Sequence, residues 1–141
     1  MTVVYLGLGS NLGNRKSNIK KALTYLRANK IQIKKLSSII ETDPVGGPKQ
    51  GKFLNAAAKV STQLTPQKLL TTLKSIEKKL GRVKTIKYGP RTIDIDILIY
   101  DRRNMNTPDL KIPHPRMIKR DFVMRPLREI APRLARELTC A

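Results

Sequence analysis

The stretch from Arg91 to Tyr100 constrains the fold of this chain more than any other segment. Every odd position from 93 to 99 is isoleucine, and Asp94 and Asp96 stand between them. Because successive side chains of a β-strand point to opposite faces, a strand here buries the isoleucines on one face and places both carboxylates on the other. The alternation therefore predicts a half-buried strand over residues 91–100, in a sheet with at least one covered face.

The rest of the chain predicts two helices and three more strands. Apolar residues recur with a helical period up to Asn29 and again up to Gly81, and Thr65-Pro66 is typical of the start of the second helix. The element order is β-α-β-β-α-β, which predicts a ferredoxin-like α+β sandwich with two helices on one face of an antiparallel sheet. About 40 residues remain as C-terminal additions. The further strands are predicted over residues 2–8, 31–42 and 53–62.

Length and composition favour one domain in a reducing compartment. At 141 residues the chain can bury one core, so we expect a single domain over residues 1–141. Its one cysteine, Cys140, excludes an intramolecular disulfide framework. The N-terminus shows neither a signal peptide nor a membrane span, so the expected location is the cytoplasm.

The charge is extreme, since 29 Lys and Arg residues against 10 Asp and Glu residues give a formal net charge of +19. No acidic residue precedes Glu41. Such a chain attracts anions, and a nucleic acid or a polyphosphate would each be a suitable partner. The basic residues are spread over predicted helices, strands and loops. Charge alone therefore does not choose between these partners, and it does not exclude a simple solvated basic surface.

Asp94 and Asp96 are the first candidates for chemistry. Two carboxylates side by side on a strand repel one another and lose hydration beside a core unless cations neutralise them. Mg²⁺ takes one or two protein carboxylates together with water and substrate phosphates, so the pair is a candidate magnesium site. The Asp-x-Asp pattern is also common on exposed polar strand faces that pair with lysines, and that alternative stays open at this point.

Cations stand close to this pair in the sequence. Guanidinium groups bind phosphate oxygens bidentately and can neutralise charge that develops on a transferring group. Glycines at 81 and 89 give the intervening segment freedom to move. We therefore predict a loop that closes over phosphates, with four basic residues in or beside it: Arg82, Lys84, Lys87 and Arg91.

Two other features carry less information. The glycines of residues 7–13 resemble a dinucleotide-binding fingerprint, but the third glycine falls one place late, so we interpret them as a tight strand-to-helix turn. His114 is the only histidine. Because a lone histidine is more often structural than catalytic, we do not assign it the role of a general base.

Six segments taken together resemble the 6-hydroxymethyl-7,8-dihydropterin pyrophosphokinases of folate biosynthesis. The resemblance implies transfer of a diphosphate from Mg-ATP to the hydroxymethyl group of the reduced pterin, with AMP as the other product. Such a reaction needs no dedicated base, since positioning and electrostatics dominate phosphoryl transfer. The segments follow one another through nearly the whole chain, at residues 6–13, 41–44, 53–57, 77–82, 89–96 and 112–115.

The resemblance also implies roles for individual residues. Asp94 and Asp96 would hold two Mg²⁺ ions on the ATP phosphates, and Arg82 and Arg91 would be catalytic. ATP and the pterin would be the partners of a monomer, with no membrane and no specific nucleic acid. The expected pterin contacts are Thr42, Val45, Phe53, Asn55 and Phe122. The expected ATP contacts are Glu77, Lys84, Tyr88, Arg91, Ile97, His114 and Arg120.

Some positions depart from the family pattern. Without an arginine fork at position 84 and a tyrosine hydroxyl at position 115, a catalytically silent pterin or nucleotide binder remains an alternative. The other alternative is a basic RNA-binding domain of the same sandwich class, although its central strand would need paired aromatic residues where this chain has two aspartates. The departures are Phe53 for Tyr, Lys84 for Arg, Tyr88 for Trp and Pro115 for Tyr.

Overall fold

A five-stranded antiparallel sheet with helices on both faces forms the body of the protein. The computed structural model describes residues 1–83 and 89–139. No helix within these ranges is long and apolar enough to cross a membrane. The strands are β1 (Thr2–Ser10), β2 (Gln32–Leu36), β3 (Ile40–Thr42), β4 (Phe53–Thr62), β5 (Asp94–Tyr100), β6 (Met105–Asn106) and β7 (Lys111–Ile112). The helices are α1 (Arg15–Ala28), α2 (Pro66–Lys79), α3 (Asp121–Ile130) and α4 (Pro132–Thr139), with a 3₁₀ turn at Met117–Lys119.

The strands lie in the order β2-β4-β1-β5, and β3 pairs with the first residues of β4. All these pairs are antiparallel, which confirms the prediction of a mixed fold with an antiparallel sheet. The predicted strand over residues 31–42 is instead two strands, β2 and β3. It is interrupted because the Ser37 hydroxyl accepts a hydrogen bond from the Ala57 amide at 2.8 Å, in place of a backbone carbonyl of the ladder.

One face of the sheet packs on α1 and α2. The Asn14 side chain caps α1, and Thr65 caps α2 by accepting a hydrogen bond from the Lys68 amide at 3.3 Å. The helix start predicted from Thr65-Pro66 is therefore confirmed. Ile95 and Ile97 of β5 point into this core. Asp94 and Asp96, which alternate with them along the strand, face the other side of the sheet.

A β-bulge in β5 ends the alternation that the sequence suggested. Tyr5 of β1 pairs with Ile99, but the next residue, Leu6, pairs with Ile97, so Leu98 is the extra residue. Both Leu98 and Ile99 consequently lie in the core on the second face. The prediction that Ile99 shares a face with the other isoleucines is wrong, because a bulge shifts the two-residue period by one position.

The helices α3 and α4 cover this second face. Their apolar side chains form a core with Ala57, Leu98 and Ile99 of the sheet. The Glu129 carboxylate also accepts hydrogen bonds from the amide and the hydroxyl of Ser38, at 2.9 and 2.6 Å, and so ties α3 to the segment between β2 and β3. The residues expected as C-terminal additions thus build a third layer.

Replacing Leu127 by alanine tests how much this third layer stabilises the fold. Leu127 has no exposed surface. The substitution removes buried apolar area and leaves a cavity, so we expect the free energy of unfolding to fall by about 2–5 kcal/mol. Urea denaturation measures the change. Ile118→Ala is the matched control because Ile118 is 48% exposed. Small and equal losses in the two variants would contradict the packing of α3 on the sheet.

Candidate active site

Three neighbouring strands bring polar groups together at one end of the sheet. Gly9 of β1 pairs with Asn55 of β4 on one side and with Asp94 of β5 on the other. Gly7, two residues earlier on the same face, pairs with Asp96. The central strand therefore places no side chain between the amide of β4 and the carboxylates of β5, and the surface above it is open.

Gly9 is required for this spacing. A Cβ at Gly9 would lie 2.9 Å from Nδ2 of Asn55, so the Asn55 amide would have to shift, whereas the 3.5 Å to a ring carbon of Phe53 is an ordinary contact. Gly7 and Gly9 both lie inside β1, and the left-handed turn occurs at Gly13, with φ 72°. The interpretation of residues 7–13 as one tight turn is thus corrected. Only the last glycine turns the chain, and Gly9 makes room for a neighbouring strand's side chains.

The two aspartates differ in their partners. Asp94 lies between two arginines, with Arg82 Nη1 3.0 Å from Oδ1 and Arg91 Nη1 2.9 Å from Oδ2. In the described part of the chain, no ion pair or hydrogen bond reaches the Asp96 carboxylate. Burial, together with the charges of Asp94 and Glu77, raises the pKa of Asp96 to about 8. Full ionisation of this pair at neutral pH consequently needs an additional cation.

Glu77 of α2 supports this arrangement from behind. Its Oε1 lies 2.8 Å from Arg82 Nη1, and its Oε2 accepts a hydrogen bond from the Ile95 amide at 2.8 Å. Since β5 is at the edge of the sheet, the carboxylate satisfies an amide that no neighbouring strand reaches. Burial raises the pKa of Glu77. Glu77 positions Arg82 and is not among the residues that line the two cavities described next, and its contact with ATP stays a prediction.

A cavity of about 300 Å³ opens in front of the aspartates. Inside it the Thr42 hydroxyl donates a hydrogen bond to Asn55 Oδ1, which leaves the Asn55 NH₂ group as a donor. The cavity brings together all the residues predicted for the pterin, for the metal and for catalysis. The lining includes Thr42, Val45, Phe53, Asn55, Arg82, Arg91, Asp94, Asp96, His114, Arg120 and Phe122.

A second cavity of about 240 Å³ adjoins the first at Asp96 and His114, which line both. Ile97 lines this second cavity together with other apolar side chains such as Leu70. The ammonium group of Lys111 also belongs to the lining. An elongated ligand with one anionic end can therefore extend from the second cavity, with its apolar and charged lining, past His114 to the arginines of the first.

The other residues predicted to contact ATP are distributed as follows. Arg120 lies in the first cavity, with its guanidinium 5.6 Å from the centre of the Phe122 ring. Burial, and then the charge of Arg120, lowers the pKa of His114. His114 Nδ1 is buried and has no hydrogen-bond partner among the described residues, while the residue itself lines both cavities. Lys84 and Tyr88 lie outside the described residues.

Asn11 is a positioning residue that the sequence did not reveal. Its Oδ1 accepts a hydrogen bond from the Arg91 amide at 2.8 Å, and its own amide donates to the Arg91 carbonyl at 3.0 Å. Its Nδ2 donates to Gln50 Oε1 at 2.8 Å and to the Gly51 carbonyl at 3.0 Å. Asn11 thus links three segments around the cavity. Its partners lie about 40 and 80 positions away along the chain, so no local pattern predicts the link.

The donors of the site suit magnesium. Among residues 1–83 and 89–139, no group of three or more His, Cys, Asp or Glu side chains is arranged to hold a metal. Mg²⁺ keeps several waters and needs only one or two protein carboxylates beside substrate phosphates. Asp94 and Asp96, two residues apart on one face of β5 and open to the cavity, fit that requirement.

The pKa of Asp96 predicts how stability changes with pH in the metal-free protein. Between about pH 4 and pH 8 the folded state keeps a proton on Asp96 that the unfolded state releases, so this group's contribution to stability falls as pH rises. Asp96→Asn removes the ionisation. We subtract the free energy of unfolding of the unaltered chain from that of the variant. We expect this difference to increase from pH 5 to pH 8, by at most about 1.4 kcal/mol per pH unit.

Urea denaturation at both pH values, with EDTA present, measures this difference. Asp43→Asn is the control, because the Asp43 side chain is 83% exposed and its nearest cation is 3.8 Å away. If the difference between Asp96→Asn and the unaltered chain does not change with pH, the raised pKa of Asp96 is contradicted.

Comparison with known proteins agrees with this geometry. A family model described as 7,8-dihydro-6-hydroxymethylpterin-pyrophosphokinase (HPPK) matches residues 5–132. The 2-amino-4-hydroxy-6-hydroxymethyldihydropteridine pyrophosphokinase of Bacillus subtilis (strain 168) is 44% identical over 140 residues, which are 99% of this chain and 84% of the relative. The protein of the same name from Aquifex aeolicus (strain VF5) is 48% identical over 132 residues, covering 94% of this chain and 82% of the relative.

A solved structure is similar in fold. The crystal structure of wild-type HPPK-DHPS from Plasmodium falciparum matches with a TM-score of 0.67 at 17% identity, and the match covers 94% of this chain and 40% of that longer chain. At this identity the likeness concerns the fold alone. The family model and the two bacterial relatives carry the assignment: the chain belongs to the 7,8-dihydro-6-hydroxymethylpterin-pyrophosphokinase family and is a pyrophosphokinase of folate synthesis.

Proposed function

We propose that the chain transfers the terminal diphosphate of Mg-ATP to the hydroxymethyl group of 6-hydroxymethyl-7,8-dihydropterin, giving AMP and the pterin diphosphate. One observation carries this proposal. A single cavity joins a pocket suited to a flat heterocycle, around Phe53 and Asn55, to two carboxylates and two arginines suited to metal and phosphate.

The pterin is assigned to the part of the cavity next to β3 and β4. Phe53 and Phe122 offer aromatic faces to a flat ring, and Val45 adds apolar contact. The Thr42 hydroxyl fixes Asn55 through its Oδ1, so the Asn55 amide has one orientation, with its NH₂ group available to the heterocycle. A fixed donor beside an aromatic wall supports recognition of one edge of the pterin.

Asp94 and Asp96 are the residues proposed to hold two Mg²⁺ ions. When bound, magnesium supplies positive charge that offsets both carboxylates and the phosphate oxygens. Arg82 and Arg91 both contact Asp94 in this structure. If magnesium competes with them for that carboxylate, their guanidinium groups become available to the transferring diphosphate. The ion pair with Glu77 would keep Arg82 in the site after Arg82 loses its contact with Asp94.

The nucleotide is assigned to the second cavity and to the border between the two. Ile97 and Leu70 supply apolar surface for the nucleoside, and His114, which lines both cavities, is placed to contact the nucleotide at their border. Arg120 would reach the phosphates from the first cavity. Contacts from Lys84 and Tyr88 remain predictions from the family pattern, and Pro115, which also lines the second cavity, offers no hydroxyl.

The wider assignments also belong to the proposal. The strand order is consistent with a ferredoxin-like sandwich whose second strand is broken into β2 and β3. We propose that residues 1–141 act as one pyrophosphokinase domain, as a monomer in the cytoplasm. ATP and the pterin are its proposed partners.

AMP release from Mg-ATP, with and without 6-hydroxymethyl-7,8-dihydropterin, tests the proposed reaction. We expect AMP formation that depends on the pterin and that falls by at least about 10³-fold in the Asp94→Ala, Asp96→Ala double variant, since positioning and electrostatics are most of the catalysis. Circular dichroism of the double variant verifies that it is folded. Binding of pterin by the unaltered chain without any AMP release would contradict the proposal and identify a silent binder.

Gly9→Ala tests the assignment of Asn55 to the pterin. The new methyl group would displace the Asn55 amide, so we expect the dissociation constant of the pterin to rise at least tenfold, which is about 1.4 kcal/mol. Gly7→Ala is the matched control, because its nearest contact is an ordinary 3.4 Å to Leu98. Calorimetric titration with the nucleotide present measures both. Equal effects of the two variants would argue against a pterin site at Asn55.

A further inference from the structure

A cavity of about 530 Å³ lies at the far end of the sheet from the active site. Thr62 lines it and pairs with Thr2 at the start of β1, whereas Gly9 of the active site stands seven residues further along the same strand. At about 3.4 Å per residue, the two sites are roughly 24 Å apart. The active site accordingly does not extend into this cavity.

The charged groups around this cavity all have the same sign. Arg27 at the end of α1, Lys30 just after it, and Lys68 in the first turn of α2 line the cavity. None of the described residues in the lining is acidic. None of the three cations forms an ion pair or a side-chain hydrogen bond within the described part of the chain. Three unneutralised cations thus converge on one concave surface.

Neutral donors add to this charge, and two helix ends lie beside it. Gln32 and Gln63 line the cavity, and both carry amide donors. Thr65, also in the lining, caps the fourteen-residue helix α2, so the positive end of that helix dipole faces the same region. The C-terminal end of α1, where Arg27 stands, lies at the same cavity and its dipole opposes that of α2, so the three cations and the amide donors are what favour an anionic ligand with several oxygen acceptors.

We propose that this cavity binds a small anion that carries a chain of two or more phosphates, such as inorganic polyphosphate or a nucleoside triphosphate. A volume of about 530 Å³ is within the range of small-ligand sites. None of the described residues that line the cavity is aromatic, so no ring is offered there for a nucleic acid base to stack on, which favours a small anion over a single-stranded nucleic acid. Such a site also gives a role to part of the +19 charge that the active site does not require.

Nuclear magnetic resonance separates this site from the active site within one titration. The probe is inorganic tripolyphosphate, added to the full chain at about 0.15 M salt, where distant charges are screened. We expect the amide signals of Gln32, Gln63 and Lys68 to shift in a saturable manner. Signals of Gly9 and Asn55 report independently on any binding at the active site. The result therefore does not depend on whether the proposed transfer reaction takes place.

Two variants with the same loss of charge test the role of the three cations. In Arg27→Gln, Lys30→Gln, Lys68→Gln we expect the dissociation constant for the response of Gln63 to rise at least tenfold. The control variant carries three substitutions at exposed lysines outside the cavity: Lys21→Gln, Lys34→Gln and Lys74→Gln. In this control we expect the same dissociation constant to change less than twofold. Absence of a saturable shift at Gln63, or equal weakening in both variants, would overturn the proposal and leave only diffuse attraction by a basic surface.

Two further ligands identify the anion. Saturable shifts of the same amides with ATP, lost in the cavity variant, would assign the site to nucleotides, and shifts with tripolyphosphate alone would assign it to polyphosphate. A ten-nucleotide single-stranded RNA that shifts these amides at lower concentration than either small anion, and that the cavity variant fails to bind, would overturn the proposal in favour of a nucleic acid surface.

Discussion

Repulsion between two carboxylates on one face of β5 is the interaction on which the rest of the site depends. Asp94 is neutralised within the chain by Arg82 and Arg91, but Asp96 has no such partner among the described residues. The surrounding elements keep these charges in place. Glu77 holds both Arg82 and the outer edge of β5, and Asn11 holds the backbone of Arg91. Without a further cation Asp96 therefore keeps its proton at neutral pH, and a bound cation would favour its ionised form.

The fold places a second, neutral recognition surface next to this charged one. Because β1 has glycines at positions 7 and 9, no β1 side chain stands between the site residues of β4 and those of β5. Asn55 and the carboxylates consequently face one cavity although they belong to different strands. A heterocycle and a polyphosphate can then meet above Gly9, and holding two reactants in one orientation is a large part of what a transfer enzyme contributes.

Periodic patterns carried most of the fold prediction, and tertiary contacts account for its errors. The helix start at Thr65 and the faces of Asp94 and Ile95 follow from local rules, and the structure confirms them. The bulge at Leu98 and the break at Ser37 do not, because both depend on hydrogen bonds and pairing with another strand. For the site, the family pattern named residues that the fold then brings into one cavity, but the support given by Asn11 requires partners that are distant in sequence. The pterin, metal and ATP roles themselves remain predictions.

The most direct test of the carboxylate account is a count of bound metal ions. Electron paramagnetic resonance of Mn²⁺, used in place of Mg²⁺, gives the number of ions bound per chain in the presence of a non-hydrolysable ATP analogue. The account predicts two ions per chain, and loss of tight binding in the Asp94→Asn, Asp96→Asn variant. A count that is the same in the variant as in the unaltered chain would show that the carboxylates of β5 are not the metal ligands, and it would contradict the account.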